Sequence, residues 1–498
     1  MVDESMRVRP TEPPHRSLRS LAHRLGVRPH GEAEVTGLSL NTADVRPGDL
    51  YAALPGASTH GARFADQAAA SGAAAVLTDA RGLQCVPDGL PYLVVEDPRR
   101  VLADLAADVY DHPSEAFTTI GITGTQGKTT STYLAEAALS GERPAVIGTI
   151  GTRIAGVPAA SSLTTPEAPA LQALFAVMRE ERVTACAMEV SSHALVKGRV
   201  DGFVFDIGVF LNLGRDHLDF HTDMEDYFRA KARLFTPEHA RAGVVLVDDD
   251  YGRRLAAEAE IPVTTVSTGG EPADWRVTDL EAQSLGSRAV LQTPDGDQVE
   301  LVVPLPGAFN VANAAAVVAA LAATGRDPRE AATGIARSPG VPGRMERIDS
   351  GRDVTVVVDY AHKPDAIVAV LEALRPVTEG RLIVVLGAGG DRDRGKRSVM
   401  GAAAAERADV LVVTDDNPRS EDPAHIRAAV IEGARDAQAE VVEVAGRRAA
   451  IAEALSMARA GDTVVIAGKG HERGQEIAGV VHPFDDREVV RECLEALR

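Results

Sequence analysis

The stretch GITGTQGKTT, residues 121–130, ends an apolar run with closely spaced glycines, a lysine and two threonines. A strand that turns through glycines into a helix aims backbone N–H groups and the positive end of the helix dipole at an anion. Lys128 would reach the β- and γ-phosphates of a nucleotide, and the Thr129 hydroxyl would bind Mg²⁺. Ile122 stands where the general template has its first glycine, and a plain glycine turn is the alternative. The stretch predicts a nucleoside-triphosphate site and leaves the reaction open.

The composition limits the classes of protein to consider. A chain of 498 residues is too long for one core, and we expect two to four domains. The net charge of -20 and an aromatic content of 4% argue against a nucleic-acid binder. Cys85, Cys186 and Cys493 lie far apart and without the spacing of a metal site, which predicts that they are reduced thiols. No apolar run approaches the roughly 20 residues of a membrane helix, so we expect a cytoplasmic protein without membrane insertion. We also expect a monomer.

Apolar runs alternate with helical stretches along most of the chain. PAVIGT, TACAMEV, DIGVFLN and AGVVLV are typical of buried parallel strands, and the turn TPDGDQ within residues 275–304 predicts an antiparallel edge. The predicted fold class is α/β in three domains, with a central P-loop-type, mostly parallel sheet and a C-terminal doubly wound, Rossmann-like domain. The predicted boundaries are 1–16 for a disordered leader, 17–112 for the N-terminal domain, 113–342 for the central domain and 343–498 for the C-terminal domain.

Three stretches of the central domain carry polar residues just after apolar runs. AMEVSSHAL places Glu189 at a strand end, NLGRDHLDFH places His217 after another strand, and DYFRAKARLF places Lys231 in a helix. Each alone has an ordinary alternative, namely a salt bridge, a hydrogen-bonded histidine or a solvated lysine. All three residues follow the phosphate loop in the sequence, and each lies at the carboxyl end of a strand or just beyond it. This combination favours a metal–nucleotide site. An ammonium group cannot bind Mg²⁺, so Lys231 fits such a site only as a carbamate.

These motifs, together with GAFNVANAAAV, PGRME and DYAHKPD, resemble those of the Mur ligase family, ATP-dependent amide-forming enzymes of peptidoglycan synthesis. Within the family, GAGGDRDRGKR, DDNPR and GKGHE resemble the MurE type, and DNPR at residues 416–419 resembles the signature of its diaminopimelate-adding members. The resemblance implies addition of meso-diaminopimelate to the D-glutamate of UDP-N-acetylmuramoyl-L-alanyl-D-glutamate through an acyl phosphate. The LL isomer presents the same distal groups and stays open.

The resemblance also implies roles for individual residues. The residues that would hold ATP are Gly124, Thr125, Gln126, Gly127, Lys128, Thr129, Thr130, Asn313, Arg344 and Asp359. The residues that would hold Mg²⁺ are Thr129, Glu189, His217 and carbamylated Lys231, and the catalytic set is Lys128, Glu189, His217 and Lys231. The UDP-muramoyl dipeptide would contact Thr42, His60, Thr164, Thr165, Ser191 and Arg199. Diaminopimelate would contact Arg392, Asp416, Asn417, Pro418, Arg419, Gly468 and Glu472.

The chemistry of diaminopimelate agrees with the residues that the resemblance assigns to it. It differs from lysine by a carboxylate at its far end, which a planar guanidinium can bind through two hydrogen bonds, and Glu472 would pair with the ammonium group there. The alternative for DNPR is an Asx or proline turn.

Several other functions are compatible with part of these motifs. A lysine-adding MurE, a MurF-type ligase and a folylpolyglutamate synthetase share the chemistry. A P-loop phosphotransferase and a non-catalytic nucleotide-binding module are more distant alternatives. A dinucleotide oxidoreductase is excluded, because Arg392 stands where the last fingerprint glycine belongs.

Overall fold

The computed structural model describes residues 7–160, 163–283 and 286–497. The chain forms two compact units, one of residues 1–276 with 315–334 and the other of residues 277–314 with 335–498. Among the described helices, none combines the length and the apolar character needed to cross a membrane. The domain boundaries drawn from the sequence stay predictions.

The N-terminal part of the first unit contains a small parallel sheet with strand order β3–β4–β5–β6. Its core includes Leu50, Leu77 and Leu93, which are buried against Leu102 and Leu105 of the last helix of this part. The elements are β1 (Arg16–Ser17), β2 (Glu34–Val35), β3 (Gly37–Ser39), β4 (Asp49–Ala52), β5 (Ala75–Thr78), β6 (Tyr92–Val94), α1 (Leu18–Arg24), α2 (Ala65–Ala70) and α3 (Pro98–Tyr110).

Residues 7–16 differ from the disordered leader that the sequence predicted for residues 1–16. The Arg9 guanidinium lies 2.7 Å from the Tyr110 hydroxyl and 3.1 Å from a carboxylate oxygen of Asp49. The backbone N–H groups of Thr11 and Glu12 donate to the Glu180 carboxylate. A buried carboxylate is costly without a partner, so Asp49 provides a reason for this segment to pack. Residues 1–6 lie outside the described residues.

The central part of the first unit is built on a second, mostly parallel sheet. Its elements are β7 (Thr118–Thr123), β8 (Pro144–Gly148), β9 (Gly151–Ile154), β10 (Val157–Ala159), β11 (Ala185–Glu189), β12 (Phe205–Phe210), β13 (Ala240–Leu246), β14 (Val263–Ser267), the start of β15 (Trp275–Gln283), α4 (Lys128–Ala138), α5 (Ala168–Glu180), α6 (Ser192–Val196), α7 (Met224–Ala232) and α8 (Asp250–Glu258). From residue 277 onwards, β15 belongs to the second unit. The order β8–β11–β7–β12–β13–β14 is parallel throughout, and β9 and β10 extend it as antiparallel strands. The predicted buried parallel strands are confirmed.

The strand β7 lies between β11 and β12. Ile120 and Ile122 of β7 are buried, as expected for a strand covered on both faces. The carboxyl ends of these three neighbouring strands therefore meet at one edge, where ligands bind in sheets of this type. The phosphate loop follows β7 at that edge.

The second unit contains the antiparallel hairpin of β16 (Gly286–Gln292) and β17 (Gln298–Val303). Its turn is closed by the Thr293 N–H, which donates to the Asp297 carbonyl at 2.9 Å. The antiparallel edge predicted around TPDGDQ is confirmed. The helices α9 (Ala308–Ala323) and α10 (Pro328–Ala336) follow in sequence. Residues 315–334, which include the second half of α9 and most of α10, belong to the first unit.

The rest of the second unit is a doubly wound sheet with strand order β18–β19–β23–β20–β21–β22. Its elements are β18 (Glu346–Ile348), β19 (Thr355–Asp359), β20 (Leu382–Ala388), β21 (Val410–Asp415), β22 (Glu440–Glu443), β23 (Thr463–Ala467), the hairpin of β24 (Gly474–Ile477) and β25 (Val480–Pro483), α11 (Pro364–Leu374), α12 (Lys396–Ala405), α13 (Pro423–Gly433), α14 (Arg447–Met457) and α15 (Asp486–Ala496). All strands from β19 to β23 are parallel, so the loops after β20, β21 and β23 share one edge. The predicted α/β fold class is confirmed.

Candidate active site

The phosphate loop, residues 124–129, is held by the segment that follows β12. The Thr125 N–H donates to the Asn212 carbonyl at 3.0 Å, and the Gln126 N–H donates to the Asn212 side-chain oxygen at 3.0 Å. Gly127 has φ 86°, a conformation that favours glycine, and it offers no side chain to cap α4. The start of α4, where Thr130 follows Thr129, therefore keeps the character of an anion site.

Glu189 at the end of β11 meets the first turn of α4. The Thr129 hydroxyl donates to Glu189 Oε1 at 2.9 Å, and the Thr149 N–H donates to the same oxygen at 2.8 Å. A side chain at Gly148 would overlap this carboxylate, so glycine leaves room for it. The hydroxyl groups of Thr149 and Thr164 lie 3.0 Å apart beside it. A buried carboxylate and a hydroxyl in contact are oxygen donors of the kind that Mg²⁺ prefers.

Two lysines converge on one carbonyl of the phosphate loop. The Nζ atoms of Lys128 and Lys231 donate to the Gly124 carbonyl at 2.8 and 2.9 Å respectively. Lys231 is only 1% exposed, and its Nζ lies 4.8 Å from the centre of the Tyr227 ring. Two ammonium groups this close repel each other, and burial strengthens the repulsion.

The ring of His217 also lies close to Tyr227, with the two ring centres 5.9 Å apart. Its Nε2 is 3.2 Å from Asp216 Oδ2, and the Tyr227 hydroxyl is 3.1 Å from the Thr125 hydroxyl. Burial raises the pKa of Tyr227, which keeps the phenol protonated. Across the described ranges, no three His, Cys, Asp or Glu side chains converge as a ready-made metal centre.

Three more residues predicted to hold the dipeptide, Thr165, Ser191 and Arg199, form a network that begins at Glu189. The Thr165 hydroxyl donates to the Glu189 carbonyl at 2.8 Å, and the Ser191 N–H donates to that hydroxyl at 3.2 Å. Arg199 donates to the Thr165 carbonyl at 3.1 Å and to Glu167 at 2.8 Å. Residues predicted separately for metal and for substrate thus share one network.

Thr42 and His60 lie in loops of the first sheet. Thr42 begins a short 3-10 helix that Asn41 caps. His60 accepts a hydrogen bond from the Ala62 N–H at Nδ1, and its Nε2 lies 3.0 Å from Asp79. Both ring nitrogens of His60 are therefore engaged, and the uridine-binding role of the two residues stays a prediction.

In the second unit, Asp359 ends β19 and accepts the N–H groups of Met345 and Ala361, both at 2.7 Å. Burial raises the pKa of Asp359, an effect opposed by the Arg344 charge. The Arg344 guanidinium lies 4.1 Å from the centre of the Tyr360 ring. Asn313 is buried in α9. The nucleotide-binding roles of Asn313, Arg344 and Asp359 stay predictions.

Arg419 lies at the edge where β20 and β21 end. It donates from Nη1 to the Gly390 carbonyl at 2.6 Å, and its Nε lies 3.2 Å from Glu476 Oε2. Its backbone has φ 52° and pairs with the β24 strand. Pro418 accepts a hydrogen bond from the Glu421 N–H at 3.0 Å. The guanidinium is thus held by the loop after β20.

The other residues predicted to bind diaminopimelate lie on the loops after β20, β21 and β23. The Asn417 amide donates to Glu472 Oε2 at 3.1 Å. Gly468 has φ 119°, and a Cβ there would lie 2.8 Å from Asp416 Oδ2. Arg392 is exposed on the loop after β20. The structure brings Asn417, Glu472, Gly468 and Asp416 together.

The prediction missed three residues at these sites, Thr149, Tyr227 and Lys469. Tyr227 precedes Lys231 by four residues on α7, a spacing that places both side chains on one helix face and could have revealed it. Lys469 stands between Gly468 and Glu472 in the quoted motif GKGHE. Thr149 carries no comparable signal, because its contact with Glu189 depends on the pairing of β8 and β11.

Two buried histidines of the second unit predict a loss of stability in mild acid. Burial lowers the pKa values of His362 and His471 to about 4, from about 6.5 in the unfolded chain. The unfolded chain therefore takes up protons that the folded unit refuses, and stability falls as the pH drops from 6.5 towards 4. In H471Q, the loss of unfolding free energy between pH 7 and pH 5, measured with urea, should shrink by about 2 kcal/mol. The exposed His425 provides the control H425Q, and equal losses in H471Q and wild type would contradict the assignment.

Comparison with known proteins shows which family the chain resembles. Three family models match the chain: "Mur ligase family, catalytic domain" over residues 34–110, "Mur ligase middle domain" over 122–321 and "Mur ligase, glutamate ligase domain" over 343–470. A protein of Streptomyces coelicolor (strain ATCC BAA-471 / A3(2) / M145) named UDP-N-acetylmuramoyl-L-alanyl-D-glutamate--2,6-diaminopimelate ligase is 56% identical over 486 residues, which are 96% of each chain.

Solved structures give the same result. The structure of a UDP-N-acetylmuramoyl-L-alanyl-D-glutamate--2,6-diaminopimelate ligase is 35% identical with a TM-score of 0.67, and the match covers 93% of this chain and 95% of that one. A MurF ligase from Thermotoga maritima, solved in complex with ADP, has a TM-score of 0.63 at 21% identity, with 92% and 97% covered. The resemblance seen in the motifs is confirmed. The chain belongs to the Mur ligase family.

Proposed function

We propose that this chain is an ATP-dependent ligase that joins diaminopimelate to the D-glutamate of UDP-N-acetylmuramoyl-L-alanyl-D-glutamate in peptidoglycan synthesis. The observation that carries the proposal is the arrangement of Arg419, Asn417 and Glu472 at one sheet edge, a cation and an anion suited to a carboxylate and an ammonium group. The 56% identity to a protein with that name supports it. We further infer that the chain acts in the cytoplasm on small-molecule substrates, and that it acts as a monomer.

The phosphate loop would bind the triphosphate of ATP. Lys128 and the backbone N–H groups at the start of α4 supply positive charge for the phosphoryl group as it moves. Thr129, Glu189, His217 and Lys231 as a carbamate would hold Mg²⁺. When bound, Mg²⁺ would neutralise phosphate charge and orient the γ-phosphoryl group.

The two lysines on the Gly124 carbonyl support the carbamate. The Lys231 ammonium group first loses a proton to give the amine. Reaction of this amine with CO₂ then forms an N–C bond and releases a second proton, so that a cation becomes an anion. The repulsion between Lys128 and Lys231 would become attraction, and a buried oxygen donor would appear beside the phosphate loop.

The reaction would proceed by transfer of the γ-phosphoryl group to the D-glutamate carboxylate. The carboxylate oxygen forms a bond to phosphorus while the bond to ADP breaks. The diaminopimelate amine, having lost a proton from its ammonium form, then attacks the acyl carbon. The nitrogen gives up a second proton as inorganic phosphate leaves from the tetrahedral intermediate, which yields the amide. Thr165, Ser191 and Arg199 would position the dipeptide so that its carboxylate meets the phosphoryl group, and positioning of this kind accounts for much of the rate in such transfers.

Arg419 would determine the choice of amino acid. A lysine substrate has no distal carboxylate to accept from the remaining N–H donors of this guanidinium. A polar group that is left without its substrate partner in a binding site discriminates strongly against such a substrate. This reasoning favours the diaminopimelate-adding type over lysine-adding and MurF-type ligases and folylpolyglutamate synthetases. A P-loop phosphotransferase or a non-catalytic module would have no use for an amino-acid pocket.

An amine-acceptor panel tests the proposal. The purified chain is supplied with the UDP-muramoyl dipeptide, ATP and Mg²⁺, and with diaminopimelate (meso and LL isomers), lysine or D-alanyl-D-alanine. We expect ADP, phosphate and an amide product with diaminopimelate and none with lysine, as detected by mass spectrometry. Equal use of lysine would contradict the assignment of DNPR. A stable phosphorylated product without an amide would favour a phosphotransferase.

A further inference from the structure

Lys469 lies at the centre of the proposed diaminopimelate pocket, although no motif assigns it a role there. It follows Gly468 directly after β23 and is 0% exposed. Its Nζ lies 3.1 Å from Asn417 Oδ1, 3.1 Å from Glu472 Oε2 and 4.0 Å from Asp416 Oδ1. All three partners belong to the set predicted to bind the amino acid.

Lys469 and the backbone N–H of Glu476 together determine which way the Asn417 amide faces. An ammonium group only donates, so it selects the oxygen of an amide and not its nitrogen. Asn417 Oδ1 accepts Lys469 and also the Glu476 N–H at 3.0 Å, which leaves Nδ2 to donate to Glu472. Without Lys469, one of the two bonds that hold the amide oxygen is lost.

The charge of Lys469 also matters for the two carboxylates around it. A buried ammonium group is costly unless it is paired, and Asp416 and Glu472 provide the pairing. The neighbouring buried cation, Arg447, is already bound to Asp486 by two hydrogen bonds of 2.7 and 2.6 Å. Arg447 is therefore committed to another carboxylate and is no substitute for Lys469.

We propose that Lys469 is a positioning residue for the acceptor amino acid: its ammonium group orients the Asn417 amide and occupies one oxygen of Glu472, so that both residues present the correct groups to the amino-acid substrate. This inference rests on the proposed function. Lys469 acts through Asn417 and Glu472 and has no part in binding ATP or the dipeptide.

Kinetics of K469M test the inference. The KM for diaminopimelate should rise at least tenfold, since the lost interaction joins two residues of the pocket. The KM values for ATP and for the UDP-muramoyl dipeptide should stay within twofold of wild type. The matched control is R381M, which breaks the pair of Arg381 with Asp462 next to the opposite end of β23 and should leave the acceptor KM unchanged.

The second variant, K469Q, keeps an N–H donor without the charge and serves if K469M does not fold. A rise in acceptor KM with unchanged KM values for the other substrates supports the inference. Equal rises in all three KM values, or an unchanged acceptor KM, would overturn it. If wild type itself does not use diaminopimelate, the proposed function fails instead, which keeps the two failures distinct.

Discussion

Replacement of Lys231 by alanine is expected to lower turnover by roughly 100-fold or more, the size of effect seen when one group that stabilises transition-state charge is removed. Lys231 is buried, and its Nζ lies 2.9 Å from the carbonyl of Gly124 in the phosphate loop. Short carboxylic acids such as acetate should restore part of the activity of K231A, because a free carboxylate can take the place of the missing carbamate. Turnover is measured as phosphate release with and without added acetate.

The control for K231A is R229A. Arg229 lies on the same helix, α7, but its exposed side chain pairs with Glu225 and Glu258. R229A should keep wild-type turnover and should not respond to acetate. An unaffected rate in K231A would rule out the carbamate, and a lowered rate that no carboxylate improves would reduce Lys231 to a structural role.

Replacement of Arg419 by lysine is expected to lower kcat/KM for diaminopimelate at least tenfold, mainly through the KM of this substrate. Lysine keeps the positive charge but offers no planar pair of N–H donors, so it cannot bind a carboxylate through two parallel hydrogen bonds. It would also lose the bond from Nη1 to the Gly390 carbonyl that holds the side chain in place. The measurement is the set of KM values for diaminopimelate, ATP and the dipeptide.

The matched control for R419K is R375K. Arg375 pairs with Asp409 just before β21, and it also donates to the Thr378 and Gly380 carbonyls. The same chemical change at the amino end of the strand should leave the acceptor KM near the wild-type value. A normal acceptor KM in R419K would refute the role of Arg419 in binding the amino acid.

Much of the fold could be predicted because the signals are local. The buried parallel strands are continuous apolar runs, and the phosphate loop follows β7 as its glycines and Lys128 indicated. The leader shows the limit of such signals. Its polar composition indicated disorder, whereas Arg9 packs because its partners Asp49 and Tyr110, distant in sequence, are buried nearby.

The sequence by itself determined the α/β class, the order of the motifs and the residue types from which the chemistry follows, because glycine spacing and apolar periodicity act over a few neighbouring residues. Only the tertiary structure decided which of those residues meet: Thr129 with Glu189, Lys231 with the Gly124 carbonyl, and Asn417 with Glu472. The physical reason is that parallel sheets place the ends of strands far apart in sequence at one edge, so contacts there depend on strand order. In the same way, the strand order of the second unit places the buried cation Lys469 beside Asn417 and Glu472, contacts that no local pattern reveals.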